Sequence, residues 1–346
     1  MIGDITMKNM KKFASLFLAL TLALSLAACG GKTGGDSAGD SGNGSSGGGD
    51  KEPYFIGISQ YGEHGSLDNC REGFLQGLAE AGLMEGVDFK VDYQNAGFDD
   101  NIATQIGTTF SAENVDMMVA VATPSATACF AAAEDKDIPV IFTAITDPVG
   151  AKLDSGNITG TSDVLPVEGQ LQLIRDLQPE AKTVGIIYTT SEANSVYSVG
   201  VYEEKAAEYG FAVETVGVTA QAEVTQAVDT LLSKGVDCLS NLTDNTVVGV
   251  LPAILEKTNE AGVPVYGSEV EQMKLGCVAG AGLDYIKLGI QTGQMAAKIL
   301  RGEATCQDTP YEVIENFDLY INPEALDAMG IRVPEDVSSA AIDVTK

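Results

Sequence analysis

A chain of 346 residues exceeds what one hydrophobic core usually accommodates, so two folded units are expected. With 20 Lys and Arg against 49 Asp and Glu, the net charge of −29 leaves no basic footprint to neutralise phosphates. That excludes nucleic acid, and adhesion to anionic lipid headgroups by charge, as functions.

The first elements in chain order are not part of a fold. Lys8, Lys11 and Lys12 precede an apolar run from Phe13 to Ala28, shorter than the roughly 20 residues a spanning helix needs. A secretory signal peptide over residues 1–28 is the better reading. The run ends in Leu26-Ala27-Ala28-Cys29, which resembles the lipobox of bacterial lipoproteins and implies a lipidated Cys29 anchored to the outer side of the cell membrane. Residues 29–51 carry that cysteine and a Gly/Ser/Asp tether whose composition cannot bury a core. The tether's Gly44-Ser45-Ser46-Gly47-Gly48 matches a nucleophile elbow in letters only, because no strand precedes it and no helix follows.

From Tyr54 the chain alternates strand and helix. Short β-rich runs at Tyr54–Ser59, Phe89–Tyr93, Met117–Ala122 and Val140–Ala144 enclose helical stretches such as Leu67–Ala81 and Ser125–Glu134. The order restarts at Thr183, with strands at Thr183–Tyr188, Phe211–Val216, Cys238–Leu242 and Val263–Tyr266. The helices between them are Ser195–Tyr209, Glu223–Lys234 and Asn245–Ala261. Such βαβα order predicts an α/β fold of two Rossmann-like lobes with parallel sheets. The halves also share a Glu-x-x-Ser opening, Glu63 to Ser66 and Glu192 to Ser195.

Ligands of open parallel sheets bind beyond the carboxyl ends of the strands. The loops expected there are polar, and they supply the candidate ligand-binding residues: Gln60, Tyr61, Glu63, His64, Thr123, Ser125, Thr146, Asp147, Glu192, Asn194, Ser195, Asp244, Asn245 and Glu269. Ser125 and Thr146 are expected to hold a carboxylate with nearby backbone amides, and Asp244, assisted by Asn245, an ammonium. Tyr61 and Glu63 are expected to line the side-chain pocket. The rival reading makes these residues helix caps, a role that Ser, Asp and Asn fill for backbone reasons alone.

Several of these runs, in order, resemble one family: Gln60-Tyr61-Gly62-Glu63-His64, Val121-Ala122-Thr123-Pro124-Ser125-Ala126, Phe142 to Val149, Ser191 to Ser195, and Thr243-Asp244-Asn245-Thr246-Val247. It is the ABC-transporter substrate-binding family that includes tryptophan- and other aromatic-amino-acid-binding proteins. The resemblance runs from about Tyr54 to Val333. It implies a type I periplasmic binding protein architecture with three crossings between lobes, near 160–164, 278–283 and 304–311. One lobe would comprise 52–162 plus 279–304, the other 163–278 plus 305–346. It also implies a monomeric, extracytoplasmic receptor that delivers a small solute, an amino acid foremost, to an ABC permease and its ATPase, with no cofactor.

Other classes fit less well. A racemase needs one thiol from each half at equivalent strand ends, whereas Cys129 falls within a helix and Cys238 opens a strand. No G-x-G-x-x-G or P-loop is present in the folded body, and no His/Cys cluster suggests a metal. Cys70, Cys129, Cys238, Cys277 and Cys306 are irregularly spaced and are expected to be small buried side chains. A ligand-sensing protein for a membrane receptor remains the alternative of a different class.

Overall fold

The computed structural model describes residues 52–314 and 317–346. The expected signal peptide, the expected lipidation site Cys29 and the expected tether lie outside the described residues.

In chain order the first lobe forms β1 (Tyr54–Gln60), α1 (Gly65–Glu80), β2 (Phe89–Asn95), α2 (Asp100–Glu113), β3 (Met117–Val121), α3 (Thr123–Ala133), β4 (Val140–Thr143) and β5 (Ile158–Ser162). The chain then crosses to α4 (Val167–Leu177), β6 (Thr183–Thr189), α5 (Ala193–Lys205), β7 (Ala212–Val218), α6 (Gln221–Lys234), β8 (Cys238–Ser240), α7 (Asn245–Val248), α8 (Leu251–Ala261), β9 (Val265–Glu269), α9 (Val270–Leu275) and β10 (Ala279–Leu283). It returns for α10 (Tyr285–Leu300) and β11 (Glu312–Val313). It ends in the second lobe with β12 (Asp318–Ile321), α11 (Pro323–Ala328), α12 (Glu335–Ala340) and β13 (Ile342–Asp343).

The first sheet runs β11-β5-β4-β3-β1-β2, parallel throughout. The second runs β13-β12-β10-β9-β8-β6-β7, and its antiparallel pair is β10 with β12. β3 and β4 are buried along their whole length, as strands covered on both faces must be. The expected α/β architecture with three crossings is therefore present.

The expected lobe boundaries shift in two places. β10 pairs with β9 and β12, so residues 279–283 belong to the second sheet and the second crossing falls at Asp284. β11 pairs with β5 and Cys306 packs in the first core, so the third crossing lies between Val313 and Asp318. The expected helix Asn245–Ala261 is broken in two at Gly249 and Val250. Pro252, in the first turn of α8, lacks the amide that would carry the helix through. All five cysteines among the described residues are buried and free.

α10 returns to the first lobe by lying along α1 at very short range. A Cβ at Gly73 would stand 2.2 Å from the Ile286 carbonyl oxygen, and one at Gly289 would stand 2.2 Å from that of Cys70. Gly77 and Gly293 repeat the arrangement one turn on.

Candidate ligand site between the lobes

The carboxyl ends of both sheets converge on an enclosed cavity. His64, Ser66, Leu67, Ala144, Thr146 and Asp163 line it from the first lobe and its crossing. Asn194, Thr243, Asn245, Val248, Glu269 and Gln272 line it from the second, and Tyr285 closes it at the start of α10. It contains about 310 Å³ of space between atoms, much of it too narrow for a water molecule. Ala144 holds φ at 60°, a strained value for a residue with a side chain. Ala122 and Phe98, in neighbouring cleft-facing loops, share that conformation at 80° and 64°. Such strain gathers where surrounding structure fixes a binding loop.

Two acids meet in this cavity. Asp163, 2% exposed, accepts from Thr146 Oγ1 at 2.9 Å and from Tyr285 Oη at 2.6 Å. Glu269, 1% exposed, accepts the amides of Glu271 and Gln272 at 2.7 and 3.1 Å, capping α9, and lies beside Ser66. Burial raises the pKa of both, that of Glu269 to about 7. The N-terminus of α1, which carries Ser66, adjoins Glu269, and the His64 side chain caps no amide there. Uncapped amides and the positive end of the helix dipole favour an anion there.

His64, Thr146, Asn194, Asn245 and Glu269 are the expected ligand-binding residues that line this cavity. Asp244 does not. It is fully buried and turned inward, its carboxylate accepting from Thr189 Oγ1 at 2.8 Å, the Thr189 amide, and the Val247 amide at 2.9 Å. It caps α7 and ties that helix to the end of β6, as the cap reading expects. Glu192 likewise lies behind the wall, its carboxylate taken up by donors from residues 194, 245 and 246.

The remaining candidates are placed elsewhere. Ser125 is buried, accepts from Ser59 Oγ at 3.2 Å and does not line this cavity. Ser195 is buried against Asn194 and Asp244. Gln60 donates to the Gly62 carbonyl and Asp68, bracing the loop after β1. Glu63 is exposed, and Asp147 accepts the Gly150 amide in its own turn. Tyr61 donates to Asp100 at 2.9 Å and lines an outer hollow with Phe98 and Thr246, whereas Thr123 lines a separate groove over α2 and α3. Residues that sequence reasoning missed are Ser66, Asp163, Thr243, Gln272 and Tyr285. Asp163 stands inside the expected first crossing, and its being the one acid between Asp154 and Glu168 is the available signal.

Residues 55–345 match the family model described as ABC transporter substrate binding protein. The chain belongs to that family. A tyrosine-binding protein of Clostridioides difficile is 37% identical over 283 residues, covering 80% of this chain and 81% of the relative. A solved structure from Streptococcus pneumoniae in complex with L-Trp is 33% identical, with a TM-score of 0.80, covering 84% of this chain and 100% of that one. The ligand-free, open structure of a substrate-binding protein with adhesive properties from Clostridium difficile is 36% identical, covering 84% and 99%, yet its TM-score is 0.63. Similar identity with poorer superposition is the mark of a different lobe arrangement. This family member superposes more closely on the tryptophan complex than on that open structure.

Proposed function

We propose that this substrate-binding protein is an extracytoplasmic lipoprotein, anchored through Cys29, that captures an aromatic amino acid and delivers it to an ABC permease by closure of the lobes. The observation that carries the reading is the pairing, in one enclosed cavity, of two buried carboxylates with an uncapped helix N-terminus. Asp163 and Glu269 suit an ammonium, and the α1 amides with Ser66 suit a carboxylate. Tyrosine and tryptophan as the ligands of relatives support the aromatic class. The test is calorimetric titration with the amino acids, joined to small-angle scattering. A binding amino acid should shrink the radius of gyration, because the ligand bridges both lobes and shifts an open–closed equilibrium. Tight binding of sugars and no amino acid would overturn the reading.

Affinity should also depend on pH. Glu269 is held at about 7 by burial, against an ordinary 4.5. An ammonium needs the ionised form, so binding should strengthen as pH rises from 5 to about 7, with proton release, and level off above. Stability of the free protein should run the other way. A raised carboxylate favours folding below the unfolded value near 4.5, and that contribution is lost as pH rises through 7. Calorimetry in buffers of different ionisation heats measures the proton release. Uptake of a proton would assign the ammonium elsewhere.

A further inference from the structure

Besides the Ser66 hydroxyl, two cavity-lining side chains leave a buried atom without a partner: Asn194 Oδ1 from the second lobe and His64 Nδ1 facing it from the first. Their orientation is traceable to one buried carboxylate. Glu192 accepts from the Asn194 side-chain amide at 3.3 Å and from that of Asn245 at 2.7 Å. Both amide groups are thereby fixed with nitrogen toward Glu192, because a flip would set a carbonyl oxygen against the carboxylate. The fixed Asn194 turns its oxygen away from Glu192. The fixed Asn245 presents Oδ1 to His64 Nε2 at 3.4 Å, so Nε2 carries the proton and Nδ1 is left with a lone pair.

We infer that Glu192 is a positioning residue that makes this wall accept hydrogen bonds, and that the wall selects an aromatic amino acid whose ring bears an O–H or N–H. The inference rests on the amino-acid reading above, in which Asp163 and Glu269 serve the ammonium and leave a ring donor for His64 and Asn194. Burial lowers the His64 pKa to about 4, so the imidazole is neutral at physiological pH. Phe98 lies parallel to the imidazole, 6.4 Å between centroids, and backs it with a second aromatic face. A site built around a ligand's hydrogen-bonding group rejects the analogue lacking it, because its buried polar atoms then stay unpaired.

His64 is the chain's only histidine, so nitrogen-15 histidine labelling of the full chain reports on this ring alone. The free protein should show protonated Nε2 and unprotonated Nδ1. Saturating L-tyrosine or L-tryptophan should move the Nδ1 resonance upfield, and saturating L-phenylalanine should leave it in place. Tyrosine or tryptophan should bind about 10- to 100-fold more tightly than phenylalanine, and His64→Phe should erase that preference. Glu192→Gln should bring a protonated Nδ1 population into the spectrum, which a merely structural carboxylate would not do. A proton on Nδ1 in the free wild-type protein, or an equal Nδ1 shift with phenylalanine, overturns the inference even where a variant fails to fold. Equal affinity for all three amino acids overturns the inference alone. Binding of none of them overturns the aromatic reading beneath it.

Discussion

Gly289→Ala should lower the melting temperature by roughly 2–8 °C. The added Cβ would stand 2.2 Å from the Cys70 carbonyl oxygen and 2.8 Å from the Phe74 amide nitrogen, both backbone atoms of α1. No rotamer relieves such a contact, so the helices must part, and overpacking of this kind destabilises by about 1–3 kcal/mol or more. The intrinsic gain of alanine over glycine in a helix, about 1 kcal/mol, offsets only part of it. Gly200→Ala supplies the control. It lies in α5 with nothing within 4 Å of the new Cβ, so the same exchange there should raise stability by roughly 0.5–1 kcal/mol. Opposite signs for the two substitutions would establish close helix approach as the cause. A melting temperature unchanged in Gly289→Ala would mean that α1 and α10 do not pack as described. Function should suffer too, because α10 begins at Tyr285, which holds Asp163.

The alternating order of the two lobes is legible in the residues because each parallel strand is a short apolar run. Left-handed glycines such as Gly210, Gly235 and Gly262 then stop the helices where positive φ is wanted. The site is legible to the level of the loop and not of the atom. Glu192 and Asp244 both follow strands and both have the composition of an ammonium ligand. Their inward turn depends on donors brought from other loops, Thr189 to Asp244 and Asn245 with Thr246 to Glu192. The shared Glu-x-x-Ser opening shows the same limit. Glu63 is exposed, whereas Glu192 is buried against the amides that open α7, although their sequence settings match. Asp163 is not legible in the sequence because its importance comes from standing at a crossing, with Thr146 on one side and Tyr285 on the other, 122 residues along the chain.

Asp163→Asn should weaken binding of an amino acid by about 10- to 150-fold, which corresponds to the roughly 1.5–3 kcal/mol carried by a hydrogen bond to a charged group. The substitution keeps the shape of the side chain and removes the charge that faces the ammonium. Stability should move in the opposite direction. Burial raises the Asp163 pKa above its ordinary 3.8, which means that folding disfavours the ionised form. Wild-type protein therefore loses stability as pH rises above that value, and the neutral asparagine does not. The variant should melt at or above the wild-type temperature near neutral pH, and the difference should narrow as the solution is acidified. A purely structural Asp163, serving only to brace Thr146 and Tyr285 at the crossing, predicts something else: a lower melting temperature and only a secondary loss of affinity. Calorimetric affinity and thermal melting of one variant at two pH values separate these. A fall in melting temperature with affinity intact would remove Asp163 from the ligand's contacts and leave Glu269 as the cavity's ammonium partner.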